Sequence, residues 1–256
     1  MSVLRLEHVT RRFGGLIAVD DVSLEIPASG ITAIIGPNGA GKTTLFNLIS
    51  GFDVPTAGHV FFAGGDITAR PPEHIARRGL IRTFQLVQLF DALTVLENVK
   101  VGRHLHTRGG LLSALMPHLA ARREHVVESD ARVLLDRTGL ANDADTFAAA
   151  LPYGRKRLLE IARALAAAPV FLLLDEPAAG LNRDETKRLA DLLKSIARSE
   201  TGVLLIEHDM SLVMNVAQRV VVLDFGRIIA DGTPQEIRKN PEVIAAYLGT
   251  AEAGIA

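Results

Sequence analysis

The chain has no cysteine. Its absence excludes a disulfide framework and any thiolate metal site, and it permits a reducing compartment. An excess of basic charge is also missing. The 28 Lys and Arg stand against 29 Asp and Glu, for a formal net charge of −1. A dedicated nucleic-acid binder normally carries a basic surplus, so no nucleic-acid partner is expected. There is no run of apolar residues long enough to span a bilayer. The richest stretch, Ala164 to Leu174, is too short and contains Pro169. The opening Met-Ser-Val-Leu-Arg-Leu-Glu-His-Val lacks the apolar segment of a secretory signal. Low-complexity segments and internal repeats are absent too. The expectation is a protein that does not cross a membrane by itself.

What is present suits a folded α/β unit. With 256 residues, 48% of them hydrophobic, the chain can bury a sizeable core and still be one α/β domain with a subdomain. The mean hydropathy of +0.23 is high, compatible with an Ala- and Leu-rich core or with a surface covered by a partner. Residues 3–9 and 22–26 alternate like half-buried strands around a Phe13-Gly14-Gly15 turn. Ile31 to Ile35 reads as a buried parallel strand, followed by a helix from Lys42 to about Gly51. His59 to Phe62 forms a further strand. From Leu86 to Ala150 the character changes to helical periodicity with scattered Arg and His, and Thr138-Gly139 closes a helix there. Leu158, Ile161, Ala162 and Leu165 then mark an amphipathic helix, Val170 to Leu174 a buried strand, and Leu189, Leu192, Leu193 and Ile196 another helix. Strands follow at Val203 to Ile206 and Val220 to Leu223, with Asp224-Phe225-Gly226-Arg227 turning a hairpin.

Gly36-Pro37-Asn38-Gly39-Ala40-Gly41-Lys42-Thr43 fits the phosphate-loop spacing between an expected strand and an expected helix. Glycines let the backbone wrap an anion with its N–H groups inward, and the helix N-terminus adds its positive dipole end. Lys42 is placed to reach the β- and γ-phosphates of a nucleotide, and the Thr43 hydroxyl to ligate Mg²⁺. A second site follows Leu172-Leu173-Leu174, where Asp175 and Glu176 close a strand at the carboxyl end of a parallel sheet. Asp175 is the candidate Mg²⁺ ligand, and Glu176 the carboxylate that polarises the attacking water.

With these residues in order, the chain resembles the nucleotide-binding subunit of ATP-binding cassette (ABC) transporters over essentially its whole length. The resemblance implies a P-loop NTPase (RecA-like) α/β core, an N-terminal antiparallel β-subdomain and an inserted helical subdomain. It places the core with its β-subdomain at 1–85 and 156–232, the helical subdomain with an insertion at 86–155, and a helical tail at 233–256. It implies ATP and Mg²⁺ as cofactors. Nucleotide contacts fall on Phe13, Gly36, Pro37, Asn38, Gly39, Ala40, Gly41, Lys42, Thr43, Thr44, Gly154 and Asn182. Phe13 stands where an aromatic stacks on adenine, although a core role is the competing reading. Gln85, in Arg82-Thr83-Phe84-Gln85, stands where a glutamine reaches the metal and the water. Asn182 closes Ala179-Gly180-Leu181-Asn182, the counterpart of a loop that crosses a dimer interface. His208 stands at the histidine that contacts the γ-phosphate. Catalysis is thereby assigned to Glu176, His208, Lys42 and Gln85, and metal contact to Thr43, Gln85 and Asp175. The partners implied are polytopic permease subunits and a second ATPase subunit, at the cytoplasmic face of the membrane.

The family's Leu-Ser-Gly-Gly-Gln signature departs here to Leu151-Pro152-Tyr153-Gly154-Arg155. Arg155, Lys156 and Arg157 then sit at a helix N-terminus, where the dipole disfavours cations. A phosphate from an opposing subunit, an acidic neighbour or solvent would relieve the conflict. The altered signature favours a mixed pair of ATPases over a homodimer. Within the family, Leu-Pro-Tyr-Gly, the phrase Asp175 to Asn182, and the ending Asn240-Pro241-Glu242-Val243 with Ala246-Tyr247-Leu248-Gly249 are similar to the LivG-type subunits of branched-chain amino-acid importers. ATPases for urea or amide uptake, for lipid export, or acting without a transporter are the alternatives. The apolar set Leu86, Val87, Leu89, Phe90, Leu93, Val95 and Leu96 is read as a permease-docking surface or as core. Asp224-Phe225-Gly226 is read as a turn, and His104, His106, His118 and His125 as a solvated stretch, not as metal sites.

Overall fold

The computed structural model describes residues 2–103, 117–198 and 201–252. The strands are β1 (Ser2–Phe13), β2 (Leu16–Pro27), β3 (Ile31–Ile35), β4 (Ala57–Phe62), β5 (Gly65–Asp66), β6 (Leu80–Arg82), β7 (Phe171–Asp175), β8 (Gly202–Ile206), β9 (Arg219–Asp224) and β10 (Arg227–Gly232). The described helices are α1 (Lys42–Ser50), α2 (Pro72–Arg77), α3 (Val95–Arg103), α4 (Pro117–Arg137), α5 (Tyr153–Ala166), α6 (Arg183–Arg198), α7 (Met210–Val216), α8 (Pro234–Lys239) and α9 (Pro241–Glu252). His104 and His106 lie outside the described residues. The elements cluster into two compact units. One comprises Met1–Arg82, Val170–Ala178 and Leu193–Ala256, the other Thr83–Pro169 and Ala179–Leu192.

The first unit holds two sheets. Antiparallel β1 and β2 fold at Gly14-Gly15, and the sheet runs in the order β2-β1-β4-β5. Alternation buries Val22, Leu24 and Ile26 of β2 on one face, and Val19 is also buried, past a register irregularity between it and Val22. The second sheet runs β10-β9-β3-β8-β7-β6. All its pairings are parallel except β9 with the hairpin strand β10. Every residue of β3, β7 and β8 is buried, as expected for strands covered on both faces. Phe46 of α1 joins Phe62 and Phe171 in the core cluster of this unit. Left-handed Gly51 ends α1, and a reciprocal Thr233–Glu236 capping box starts α8.

In the second unit, α3, α4 and α5 pack through Val95, Val99, Leu135, Leu159 and Ala162. Gly139, with φ of 72°, follows the end of α4. The chain partition expected from sequence divides α5 between residues 155 and 156, whereas the structure keeps the whole helix in the second unit. The physical reason is that α5 is more than amphipathic. Arg157 and Glu160 are buried beside its apolar residues and bind Phe84 and Gln85 of the same unit.

Candidate nucleotide-binding site

Three adjacent parallel strands deliver the chemistry. β3 ends at Ile35 and releases the Gly36–Gly41 loop, β8 ends before Glu207-His208, and β7 ends at Asp175. In register, β3 pairs Ile34 with Ile206, and Ile206 pairs on its other side with Asp175. Ligands of open α/β sheets bind outside these carboxyl ends. Two glycines are dictated by close approach. A Cβ on Gly36 would lie 2.1 Å from the Leu223 carbonyl oxygen, and one on Gly41 2.2 Å from that of Ala18. The Gly226 N–H donates to the Ala40 carbonyl at 3.0 Å, tying the loop to the β9–β10 hairpin. Phe225 and Gly226 form the turn of that hairpin, between the paired Asp224 and Arg227.

Lys42, the first residue of α1, is buried. Its Nζ donates to the carbonyls of Gly36 at 2.7 Å and Pro37 at 2.9 Å. Burial lowers its pKa, while the charges of Glu176 and Asp175 oppose the shift. The ammonium is thus held beneath the loop with two carboxylates in its field. Thr43 and Thr44 follow on the first turn of the helix, Thr43 exposed. Asn38 and Gly39 are exposed on the loop, while Pro37 and Ala40 are buried.

Asp175 has a partner the sequence did not reveal. Arg82, at the end of β6, donates from Nη2 to Oδ2 of Asp175 at 2.9 Å, and both side chains are 6% exposed. Its Nη1 binds Asn47 Oδ1 and Ser50 Oγ of α1, each at 2.8 Å. The guanidinium lies 5.6 Å from the ring centroids of both Phe46 and Phe52. Burial lowers its pKa and Asp175 opposes this. The clamp orients the carboxylate against the phosphate-loop helix. Asp175 and the Thr43 hydroxyl are hard oxygen donors, few in number, which suits a Mg²⁺ that takes its other ligands from phosphate and water. Among the described residues, no group of three or more His, Asp or Glu could hold a metal by itself.

Glu176 has φ of 47°, a left-handed conformation that costs a non-glycine residue about 1–3 kcal/mol and concentrates at functional sites. Its N–H donates to the Ile206 carbonyl at 3.0 Å, which maintains that backbone. His208 Nε2 lies 3.3 Å from Glu176 Oε2, with the imidazole about half exposed. Glu207 is buried and was not singled out from sequence. It accepts from the N–H groups of Ala178, His208 and Asp209. Burial raises its pKa against those donors. It therefore fastens the backbone around both Glu176 and His208. Asp209 caps α7 through the N–H groups of Ser211 and Leu212. Phe13 is not core: it is 46% exposed, with the Arg11 guanidinium 4.4 Å from its ring centroid.

Gln85, Gly154 and Asn182 belong to the second unit. Gln85 is exposed. A Cβ on Gly154 would meet Glu185 Oε1 at 2.2 Å, so a side chain there would displace that carboxylate. Asn182 Oδ1 accepts from the N–H groups of Asp184 and Glu185, and Glu185 Oε2 accepts from that of Asn182, a reciprocal cap of α6. The three bases at the start of α5 have acidic neighbours in their own chain. Arg155 pairs with Asp143, Lys156 approaches Asp91 at 3.8 Å, and Arg157 pairs with Glu160. The dipole conflict is met internally and gives no reason to invoke an opposing phosphate.

Comparison with known proteins decides the family. Residues 19–179 match the family described as ABC transporter. The chain belongs to that family. It is an ABC-type ATPase, its hydrolysis coupled to transport. Residues 227–253 also match a second family, described as branched-chain amino acid ATP-binding cassette transporter. Among similar proteins is the high-affinity branched-chain amino acid transport ATP-binding protein LivG of Salmonella typhimurium. It is 47% identical over 251 residues, covering 97% of this chain and 98% of LivG. BraF of Pseudomonas aeruginosa, described in the same words, is 46% identical with the same coverage. A crystal structure of the ADP conformation of an ATP-binding cassette of an ABC transporter superposes with a TM-score of 0.83 at 31% identity, covering 97% of this chain and 99% of the other. No described helix of this ATPase is long and apolar enough to cross a membrane.

The Arg82 clamp makes a stability prediction. Removing one member of a buried ion pair costs about 3–5 kcal/mol because the other is left buried and uncompensated. Arg82→Met should therefore lower unfolding free energy in urea by about that amount. Adding Asp175→Asn should recover part of the loss. Strictly additive losses in the double variant would show that the two groups do not sense one another.

Proposed function

We propose that this chain is the ATP-hydrolysing subunit of an importer for branched-chain and related hydrophobic amino acids, bound peripherally at the cytoplasmic face of separate polytopic permease subunits. The observation that carries the solute is the match of residues 227–253, together with near-complete coverage by relatives named for branched-chain amino-acid transport. Leu86 and Phe90 are exposed, whereas Val95, Leu96 and Val99 are core. The exposed pair, on the loop ahead of α3, is the part of the apolar set left for permease docking.

The reaction assigned to the site is transfer of the γ-phosphoryl group from ATP to water. Such catalysis is chiefly positioning and charge stabilisation. Phe13 offers an exposed ring for adenine. The backbone N–H groups of the Gly36–Gly41 loop and the α1 N-terminus receive the phosphates, and Lys42 supplies a cation to them. Thr43 and Asp175 are the residues that would hold Mg²⁺, whose chemistry is to neutralise phosphate charge. Gln85 keeps the part in hydrolysis that the family pattern gives it. Glu176 orients the attacking water and takes its proton as the oxygen bonds to phosphorus and ADP departs. His208, beside Glu176, contacts the γ-phosphate.

The working ATPase is proposed to be a mixed pair. Each nucleotide in the family lies between the phosphate loop of one subunit and the signature of the other. This chain's signature has Pro152 and Arg155 in place of serine and glutamine, and Arg155 is engaged by Asp143. It therefore does not replace the missing hydroxyl donor, whose bond to a charged group is worth roughly 1.5–3 kcal/mol. Gly154 keeps its backbone N–H for the partner's nucleotide. A second ATPase with a fuller signature, facing this chain's intact phosphate loop, supplies what is lacking.

Reconstitution with the permease subunits tests both statements. Branched-chain amino-acid uptake should need this chain together with a second ATPase. Full uptake with this chain as the sole ATPase overturns the mixed pair, and absence of branched-chain uptake by the complete assembly overturns the solute. In that assembly Glu176→Gln should keep MgATP binding and lose kcat by about 10²-fold or more. Near-normal steady-state hydrolysis would remove Glu176 from the base role.

A further inference from the structure

Arg157 is a fully buried side chain, at 0% exposure, and among the largest of the buried set. An arginine on the first turns of an exposed-sounding basic run has no business in a core unless its donors are satisfied there. Both Nη atoms are satisfied, and each gives one bond to the same backbone segment, while the buried Nε has no partner among the described residues. Nη1 donates to the Phe84 carbonyl at 2.7 Å, and Nη2 to the Gln85 carbonyl at 2.6 Å. Nη1 also reaches Glu160 Oε2 at 2.8 Å, and Nη2 the Tyr153 hydroxyl at 3.3 Å. Glu160 completes the frame by accepting from the Phe84 N–H at 3.4 Å through its other oxygen. Burial raises the Glu160 pKa, with the Arg157 charge opposing. The two side chains thus hold three backbone groups of Phe84 and Gln85 from one face of α5.

The Gln85 side chain is exposed while its backbone is held from inside. Lysine could not reproduce this hold. A guanidinium presents a planar fork of fixed donors that can span successive carbonyls, whereas an ammonium is a single point. We propose that Arg157 is a positioning residue for Gln85, fixing the backbone from which the glutamine reaches out to the same helix that begins at Tyr153-Gly154. The inference rests on the reading that Gln85 takes part in hydrolysis. Its consequence is that the glutamine and the altered signature move as one piece, because α5 carries both the clamp and Gly154.

The test is a double-mutant cycle on steady-state hydrolysis in the assembled transporter, with permease subunits and second ATPase present. Arg157→Lys should lower kcat by roughly 10–100-fold, the scale of a small misplacement remote from the chemistry, with KM for ATP unchanged. On a Gln85→Ala background, Arg157→Lys should add no further loss. Glu160→Gln keeps the side-chain volume and leaves the guanidinium in place. It should give a smaller kcat loss that also vanishes on the Gln85→Ala background, and it carries the test if Arg157→Lys does not fold. If Gln85→Ala slows hydrolysis but the Arg157 and Glu160 variants do not, or if their losses multiply with it, the positioning role is overturned. If Gln85→Ala itself leaves kcat unchanged, the reading of Gln85 fails and takes the inference with it.

Discussion

A cation and two carboxylates are gathered at the carboxyl ends of buried parallel strands, and most of the site follows from the need to keep them there. Lys42 is buried with Asp175 and Glu176 in its electrostatic field. An isolated buried charge is costly, so each must be paired or hydrogen-bonded. Lys42 is satisfied by the carbonyls of its own loop, Asp175 by Arg82, and Glu176 lies beside His208. The glycines of the loop follow from the same demand for close approach, since a side chain at Gly36 or Gly41 would strike neighbouring carbonyls. Charged groups held in place by their own internal bonds are what electrostatic preorganisation requires.

Buried charge is also the organising device of the second unit. Arg157 and Glu160 are buried in a unit whose apolar cluster is made of Val, Leu and Ala, and where the polar Asn98 and Thr138 are also buried. Apolar residues of similar volume would often be at least as stabilising as such a pair. What apolar residues could not do is grip the carbonyls of Phe84 and Gln85. Arg82, Glu207 and Arg157 share this logic: each uses a buried ionic group to hold part of a candidate site residue, respectively the Asp175 carboxylate, the His208 backbone and the Gln85 backbone.

The phosphate loop, the Asp175-Glu176 strand end and the flanking strands were legible because their signals are local. Gly36 to Thr43 is read by spacing alone, and the apolar runs of β3, β7 and β8 announce burial on both faces. The clamps were not legible. Arg82 meets Asp175 across 93 positions of sequence, and Arg157 meets Phe84 across 73. A charged residue destined for a core looks the same in a sequence as one destined for solvent. The basic run at 155–157 shows the difficulty most clearly. Its conflict with the helix dipole was visible, but the relief by Asp143 and Asp91 was not, because the fold of 83–169 brings those partners in; only Glu160, three residues along the same helix from Arg157, stood at a spacing the sequence shows. Phe13 could be read as core or as surface until its exposure settled the matter.

The central claim is that Lys42 is a cation prepared for phosphate, acting in the ground state as well as during turnover. Calorimetric titration of ATP into the purified ATPase and into Lys42→Ala tests it most directly. The account predicts that the variant folds, with α1 still capped by Gly51, and loses measurable ATP affinity. A folded Lys42→Ala that binds ATP as tightly as the unaltered chain would contradict it.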